Sequence, residues 1–386
     1  MIKKEYKERV LMHRRWLHQH PEIAFEEKET TNYVAHHLAA VGIPCKKVNE
    51  CGLYGDLVLN PAYPTIAVRA EIDALPVAEE TNLPFSSLNE GKMHACGHDA
   101  NTAILLTLAE LLSEIQKEQP ELLKCNVRFI FEPAEEIGEG ARYMILNGAL
   151  EDPEPKEILL FHFGNETSHQ AEIKRRCSTA QIAGLLVTVT GKSSHFSQYE
   201  EGIDAMYAAS KVVIAAQEIN RSYISEHPFV LAFGMMQSGT GGNIVAGHTE
   251  LKGSLRTFTN EEFEQIYKEF LQKTEEIEEE TGARIQVEIT KIIPPIINDA
   301  RMVKKGAEVG STLYGDGFRL VDHAFLAGDN AAFYLEKIPG MHVVFMAKKE
   351  NEVNYPIHNS RFDIDEEEIG RALEFLFRYL TEYTYL

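Results

Sequence analysis

Basic charge is what this sequence has least of. Its 386 residues carry 38 Lys and Arg against 59 Asp and Glu, a net charge of −21, and no basic run interrupts that excess. A phosphate backbone or an anionic bilayer is a poor main partner for such a chain. Long apolar runs are missing too: nowhere do about 18 apolar residues follow one another, the length a spanning helix needs. Met1 to Trp16 alternate Lys, Glu and Arg with apolar residues and lack the unbroken apolar core of a signal peptide. The cysteines are few, odd in number and scattered (Cys45, Cys51, Cys96, Cys125, Cys177). They form no disulfide framework and point to a reducing compartment. A cytoplasmic, unanchored protein is expected. Internal repeats and low-complexity tracts are also lacking, and the acidic stretch Glu275 to Glu280 reads as a solvated helix face.

What is present suits an α/β enzyme. At 44% hydrophobic residues the chain can bury one large core or, more in keeping with its length, two. Helical spacing covers residues 3 to 19 and 27 to 41, broken by Pro21 and closed by Gly42-Ile43-Pro44. Thr65 to Ala70, Asn126 to Phe131 and Ile158 to Phe163 are short β-branched or aromatic runs and read as strands. Each ends in polar chemistry: Glu71-Ile72-Asp73, Glu135-Glu136 and His162. In open α/β sheets ligands bind beyond the carboxyl ends of the strands, so these three ends predict a site.

The pattern changes after Cys177. Strands at Leu185 to Thr190, Phe229 to Met236, Glu250 to Arg256 and Arg284 to Lys291 alternate with helices near 202 to 220 and 260 to 280. A βαββαβ order of this kind makes a compact two-layer unit able to fold alone. Ile292-Ile293-Pro294-Pro295 marks its exit, after which helices near 299 to 313, 329 to 337 and 365 to 382 and a strand at Met341 to Ala347 resume the α/β pattern. The predicted organisation is therefore residues 1–181 and 295–386 as one mixed-sheet α/β domain, with residues 182–294 inserted as an α+β domain.

The densest chemistry lies in His94-Ala95-Cys96-Gly97-His98-Asp99, just before an apolar helical stretch. In an extended loop, alternate side chains point the same way, which would bring His94, Cys96 and His98 to one point. A thiolate beside imidazoles suits a first-row metal. Downstream, Phe131-Glu132-Pro133-Ala134-Glu135-Glu136 offers adjacent carboxylates, one able to ligate and one to carry a proton. The two motifs together suggest metal-assisted hydrolysis. Gly239-Thr240-Gly241-Gly242 superficially resembles a phosphate loop, but neither a following Lys-Ser/Thr nor a strand-to-helix switch accompanies it.

The ordered set Arg69 to Pro76, Met93 to Asp99 and Glu132 to Glu136 resembles the M20 metallopeptidase family, in its aminoacylase, hippurate hydrolase and auxin-conjugate amidohydrolase branch. The resemblance runs from His18-Gln19-His20-Pro21-Glu22 to Pro356 to Asp365. It implies a metallohydrolase catalytic domain with the inserted domain acting as lid and dimerisation domain, and hence a homodimer through that domain. It implies two divalent metal ions, zinc or manganese with cobalt or nickel as alternatives, held by Cys96, His98, Glu136, His162 and His358, with Cys96 as the bridge. A hydroxide held between the metals would then attack the scissile carbonyl, with Glu135 as general base and Asp73 orienting a ligand. From the inserted domain, His195 would hydrogen-bond the developing oxyanion while Asn243 and Arg256 bind the substrate's carboxylate or amide. His94 falls outside the implied ligand set and is read as shaping the pocket.

The implied substrate is a small N-acyl or N-aroyl amino acid or a related amide. A dipeptidase or carboxypeptidase with the same site is the alternative, and a metal-binding protein without activity is the alternative of another class. Three residues depart from the family pattern: Asn101 where a histidine is usual, and Phe196 and Tyr199 where a small residue and a proline are usual. Gly328-Asp329-Asn330-Ala331-Ala332-Phe333 likewise replaces the common Gly-Ser-Glu-Asp. None removes an implied ligand, and all bear on substrate preference.

Overall fold

The computed structural model describes residues 2–164, 170–322, 324–350 and 352–382. It divides into two compact units, Met1–Ser178 with Ile297–His323 and Asp329–Leu386, and Thr179–Ile296 with Ala324–Gly328.

The first unit begins with α1 (Lys4–Gln19), α2 (Lys28–Ala40), β1 (Cys45–Lys47), β2 (Leu53–Leu57) and β3 (Thr65–Glu71). It continues through α3 (His98–Glu118), β4 (Asn126–Glu132), α4 (Gly140–Leu146), β5 (Glu157–Gly164) and β6 (Ala171–Lys174). The second unit supplies β7 (Gln181–Thr190), α5 (Ala205–Ser222), β8 (Val230–Ser238), β9 (His248–Thr257), α6 (Asn260–Thr281) and β10 (Arg284–Ile293). The chain then returns to the first unit as α7 (Ala300–Tyr314), β11 (Phe318–Val321), α8 (Ala332–Leu335), β12 (Gly340–Met346) and α9 (Glu366–Thr381).

The first unit's sheet has the order β1-β2-β4-β3-β5-β12-β6-β11. Its centre, β4, β3, β5 and β12, is parallel, whereas β1, β2 and β6 pair antiparallel to their inner neighbours. β3, β4 and β12 are buried at every residue, and along β5 only His162 is not. Such strands are covered on both faces, so their sequences read as nearly continuous apolar runs. Register sets Glu71 opposite Glu132, so both strands finish at one edge. α3 is buried at every residue from His98 to Ser113, its apolar residues Ala103 to Leu106, Leu108, Ala109, Leu111 and Leu112 interrupted by polar groups that find partners within the unit. It lies against β3 and β5, with α1 and α9 packed on it.

In the second unit the sheet order is β10-β7-β9-β8, antiparallel throughout. β7 alternates between buried and half-buried residues, the signature of a sheet with one covered face. α5 and α6 pack on each other, and the unit has its own apolar core, including Val187, Val212, Leu251 and Phe270. Both helices start on side-chain caps: Asp204 accepts from the N–H groups of Met206 and Tyr207, and Thr259 from Glu262.

Some elements differ from expectation. The helix expected over 329 to 337 shrinks to the single turn α8. The chain must turn into β12 at Gly340, and the residue before Pro339 is biased out of the helical region. Arg256 sits on the inner strand β9, between β7 and β8. Four short strands, β1, β2, β6 and β11, extend the sheet beyond what the sequence pattern signalled. Among the described residues no helix is long and apolar enough to cross a membrane.

Candidate metal centre

Three strand ends and one loop bring the motif residues together. Beyond β3, the chain reaches Asp73. Beyond β4, it turns through Pro133 and Ala134 into Glu135 and Glu136. His162 lies near the end of β5. His358 comes from the loop before α9, where its N–H donates to the Ala95 carbonyl at 2.7 Å. Cys96 and His98 flank Gly97, whose φ of +86° starts α3 from the left-handed region that glycine adopts without penalty. Ala134 and His358 are also left-handed, at φ +55° and +68°, an unusual conformation that clusters at functional sites.

Cys96, His98 and His162 form one group whose donor atoms all lie within 4.8 Å of one another, and Cys96, Glu136 and His358 form another. A third group contains His98, Glu135 and Glu136. Cys96 Sγ is 3.6 Å from His162 Nε2, and His358 Nε2 is 3.4 Å from Glu136 Oε2. The imidazole tautomers follow from their neighbours. His98 Nδ1 lies 2.9 Å from the Asp73 carbonyl oxygen and His162 Nδ1 lies 2.7 Å from that of Phe163. A carbonyl only accepts, so each Nδ1 carries a proton and Nε2 is the nitrogen left to face a ligand. Asp73 also places Oδ1 3.2 Å from His98 Nδ1, while its Oδ2 accepts the Glu136 N–H at 2.9 Å. One carboxylate thus orients two candidate ligands.

These residues fit divalent cations. His98 Nε2 and Glu136 Oε1 are buried and have no hydrogen-bond partner. Buried polar atoms are nearly always paired, so such vacancies around one point suit a ligand. Burial pushes the Cys96 thiol well up, with His98 opposing it, so a thiolate there calls for an adjacent cation. Burial alone would lower the His98 pKa, yet Cys96 and Asp73 raise it well above the ordinary value. Glu135 is raised strongly, first by burial and then by the charge of Asp329.

His94 does not join them. The chain turns at residues 95–96 and enters a helix at His98, so the extended-loop alternation that would align three side chains fails. His94 is buried, its pKa is lowered to about 4 chiefly by burial, and it belongs to none of the donor groups. Two supporting residues had no clear sequence signal. Glu27 Oε1 accepts the Ala134 N–H at 2.8 Å, fixing the strained turn, and burial raises this carboxyl to about 7. Asn330 donates from Nδ2 to the Glu135 carbonyl at 3.2 Å and accepts the Ala141 N–H at 2.8 Å. Asn330 falls in the segment whose departure from the family pattern is visible in the sequence; Glu27 has no comparable mark. Asn101, another departure, donates to the buried Glu71 carboxylate at 2.9 Å.

The remaining candidates lie in the second unit. His195 is exposed; its Nδ1 lies 3.2 Å from the Ser197 N–H and 2.8 Å from the Ser197 hydroxyl, and its Nε2 is 3.4 Å from Asn243 Nδ2. Arg256 is half-buried and donates to the Leu326 carbonyl at 2.8 Å. Phe196 and Tyr199 are exposed beside His195 with their rings edge to face.

A mixed α/β unit that gathers thiol, imidazole and carboxylate donors beyond its parallel strands, with a separate antiparallel unit inserted, is the framework of a metal-dependent hydrolase. The chain belongs to peptidase family M20/M25/M40, whose family model matches residues 67–382. It is 33% identical over 367 residues to the N-acetyl-L-cysteine deacetylase of Bacillus subtilis (strain 168), covering 94% of this chain and 85% of that protein. A second protein of that strain, an N-acetylcysteine deacetylase, is 32% identical over 383 residues, 97% of each. Among solved structures, the Bacillus subtilis YXEP protein, described as a dinuclear metal binding peptidase from the M20 family, matches with a TM-score of 0.81 at 29% identity, over 99% of each chain. The family and the fold class expected from the sequence are those found.

Proposed function

We propose that this protein is an amidohydrolase that removes the acyl or aroyl group from N-acylated amino acids, with Glu135 as general base. The carrying observation is the sharing of Cys96 by two donor groups, with Glu135 in a third beside His98 and Glu136. Cys96, His98, Glu136, His162 and His358 would hold two divalent ions, zinc or manganese, or else cobalt or nickel. Such ions supply Lewis acidity toward the scissile carbonyl and acidify water.

The chain's own residues do the rest. Glu135 takes a proton from the attacking water and returns it to the departing amine, and its raised pKa is the direction a base working near neutrality needs. Asp73 keeps His98 in the tautomer that directs Nε2 inward. His195 donates to the developing oxyanion, while Asn243 and Arg256 receive the substrate's carboxylate or amide. Two relatives named for deacetylating N-acetylcysteine support a small N-acyl amino acid as substrate. Dimerisation through the second unit and a cytoplasmic location complete the proposal, the latter supported by five free cysteines.

A panel of N-acetyl and N-benzoyl amino acids tests the reading. Turnover that a chelator abolishes and zinc or manganese restores is expected. A requirement for a free α-amino group on the substrate would instead mark a dipeptidase, and two ions per chain without turnover would mark a binding protein.

A further inference from the structure

Away from the Cys96 centre, a second group of donors sits on three helices of the first unit. His13 from α1, His37 from α2 and Glu110 from α3 place their ligand atoms within 4.8 Å of one another. Glu110 Oε1 faces both rings, 3.3 Å from His13 Nε2 and 3.4 Å from His37 Nδ1. The His13 ring is fully buried, and its Nε2 makes no hydrogen bond despite that proximity. A buried ring nitrogen aimed at a carboxylate oxygen without bonding to it leaves room for a shared third atom.

The spacing fits one. Ligands about 2.0–2.1 Å from a tetrahedral zinc stand roughly 3.3–3.4 Å apart, the separation of each imidazole nitrogen from Glu110 Oε1, and the two imidazoles lie within 4.8 Å of each other. The surroundings are those of a ligand shell. His13 Nδ1 lies 2.7 Å from the Tyr33 hydroxyl, which can accept its proton and leave Nε2 with its lone pair. Tyr33 is itself stacked on Trp16 at 3.7 Å. The other Glu110 oxygen is 3.4 Å from Arg9, so the carboxylate is turned with Oε1 toward the imidazoles. His37 and Glu110 also line an open groove of about 410 Å³ with Glu5, Glu8, Arg9 and Met12, which leaves a bound ion a free position for water.

We propose that His13, His37 and Glu110 bind one divalent transition-metal ion of zinc-like preference, a site sharing no residue with the Cys96 centre. Two imidazoles and one carboxylate match the borderline character of zinc, and the ion ties α1, α2 and α3 together. The site is independent of the proposed activity.

Equilibrium dialysis against zinc chloride, followed by elemental analysis, compares the full chain with His37→Ala and Glu110→Gln. Each variant is expected to retain one zinc per chain fewer than wild type, and the Cys96→Ala/His98→Ala double variant still to hold the ion that His37→Ala loses. In the Cys96→Ala/His98→Ala background the protein is also expected to melt higher in zinc than without it, a rise lost when His37→Ala is added. Equal zinc content in wild type and both variants overturns the proposal. If Glu110→Gln fails to fold, His37→Ala, at a partly exposed position, and a zinc-soaked wild-type crystal decide: anomalous density among the three side chains is expected, and its absence overturns the site.

Discussion

At the scale of single residues, much of the candidate site is held by groups that touch no reacting atom. Asn330 is fully buried and joins the Glu135 carbonyl to the Ala141 N–H. Removing one partner of a buried hydrogen bond costs about 1–3 kcal/mol. Asn330→Ala is therefore expected to lower stability by that amount in denaturant titrations and to reduce kcat. His18 carries a different prediction. Burial favours its neutral form, but the carboxylates of Asp99 and Glu79 prevail and raise its pKa from 6.5 to about 9. A raised histidine stabilises the fold fully below 6.5 and loses that contribution as pH climbs through 9. Such a shift is worth on the order of 3 kcal/mol. The stability gap between wild type and His18→Gln should shrink over that window, and a gap independent of pH would contradict the assignment. The motif residues were legible because side-chain chemistry clusters in sequence. Glu27 and Asn330 were not, because each acts on a backbone N–H more than a hundred residues away, and sequence spacing carries no trace of that.

Elements tell a similar story. The ends of β3, β4 and β5 could be read as a site because these buried strands are mostly apolar, Arg69 and Arg128 excepted, and then give way to clustered polar groups. Short strands such as β1 and β11, with 3 and 4 residues, lack enough length to show a period. The alternation expected of His94, Cys96 and His98 failed for a local reason, since the chain leaves the extended region before α3 begins. Turns at this edge are tight. A Cβ on Gly140 would stand 1.9 Å from the Pro133 carbonyl oxygen and 2.9 Å from the Glu132 side chain. Gly140→Ala should displace the Glu135-Glu136 turn, lowering the melting temperature and the retained metal together. Gly242→Ala, where nothing lies within 4 Å, is the control expected to change neither.

Across the whole molecule, two separate hydrophobic cores underlie the division into units. The antiparallel unit closes its sheet with its own helices, and both carry side-chain caps at their N-termini. Residues 179–296 expressed alone should therefore give a cooperative thermal transition by circular dichroism, and a gradual, non-cooperative melt would show that the core is insufficient. The broad order of these elements was visible in the sequence because each unit repeats one rhythm of strands and helices. The small return segment Ala324–Gly328 was not, since its attachment rests on backbone bonds such as those from the Ala180 N–H to the Phe325 and Ala327 carbonyls.

The proposed chemistry depends most on Glu135 acting on protons while its neighbours hold the ions. Glu135→Gln keeps the side chain's size and removes only its basicity. The direct measurement is kcat for an N-acetyl amino acid alongside the metal content of the same sample. A fall in kcat of about 10²–10⁴-fold with metal content unchanged is expected. An unchanged kcat at full metal content would contradict the role of Glu135 as general base.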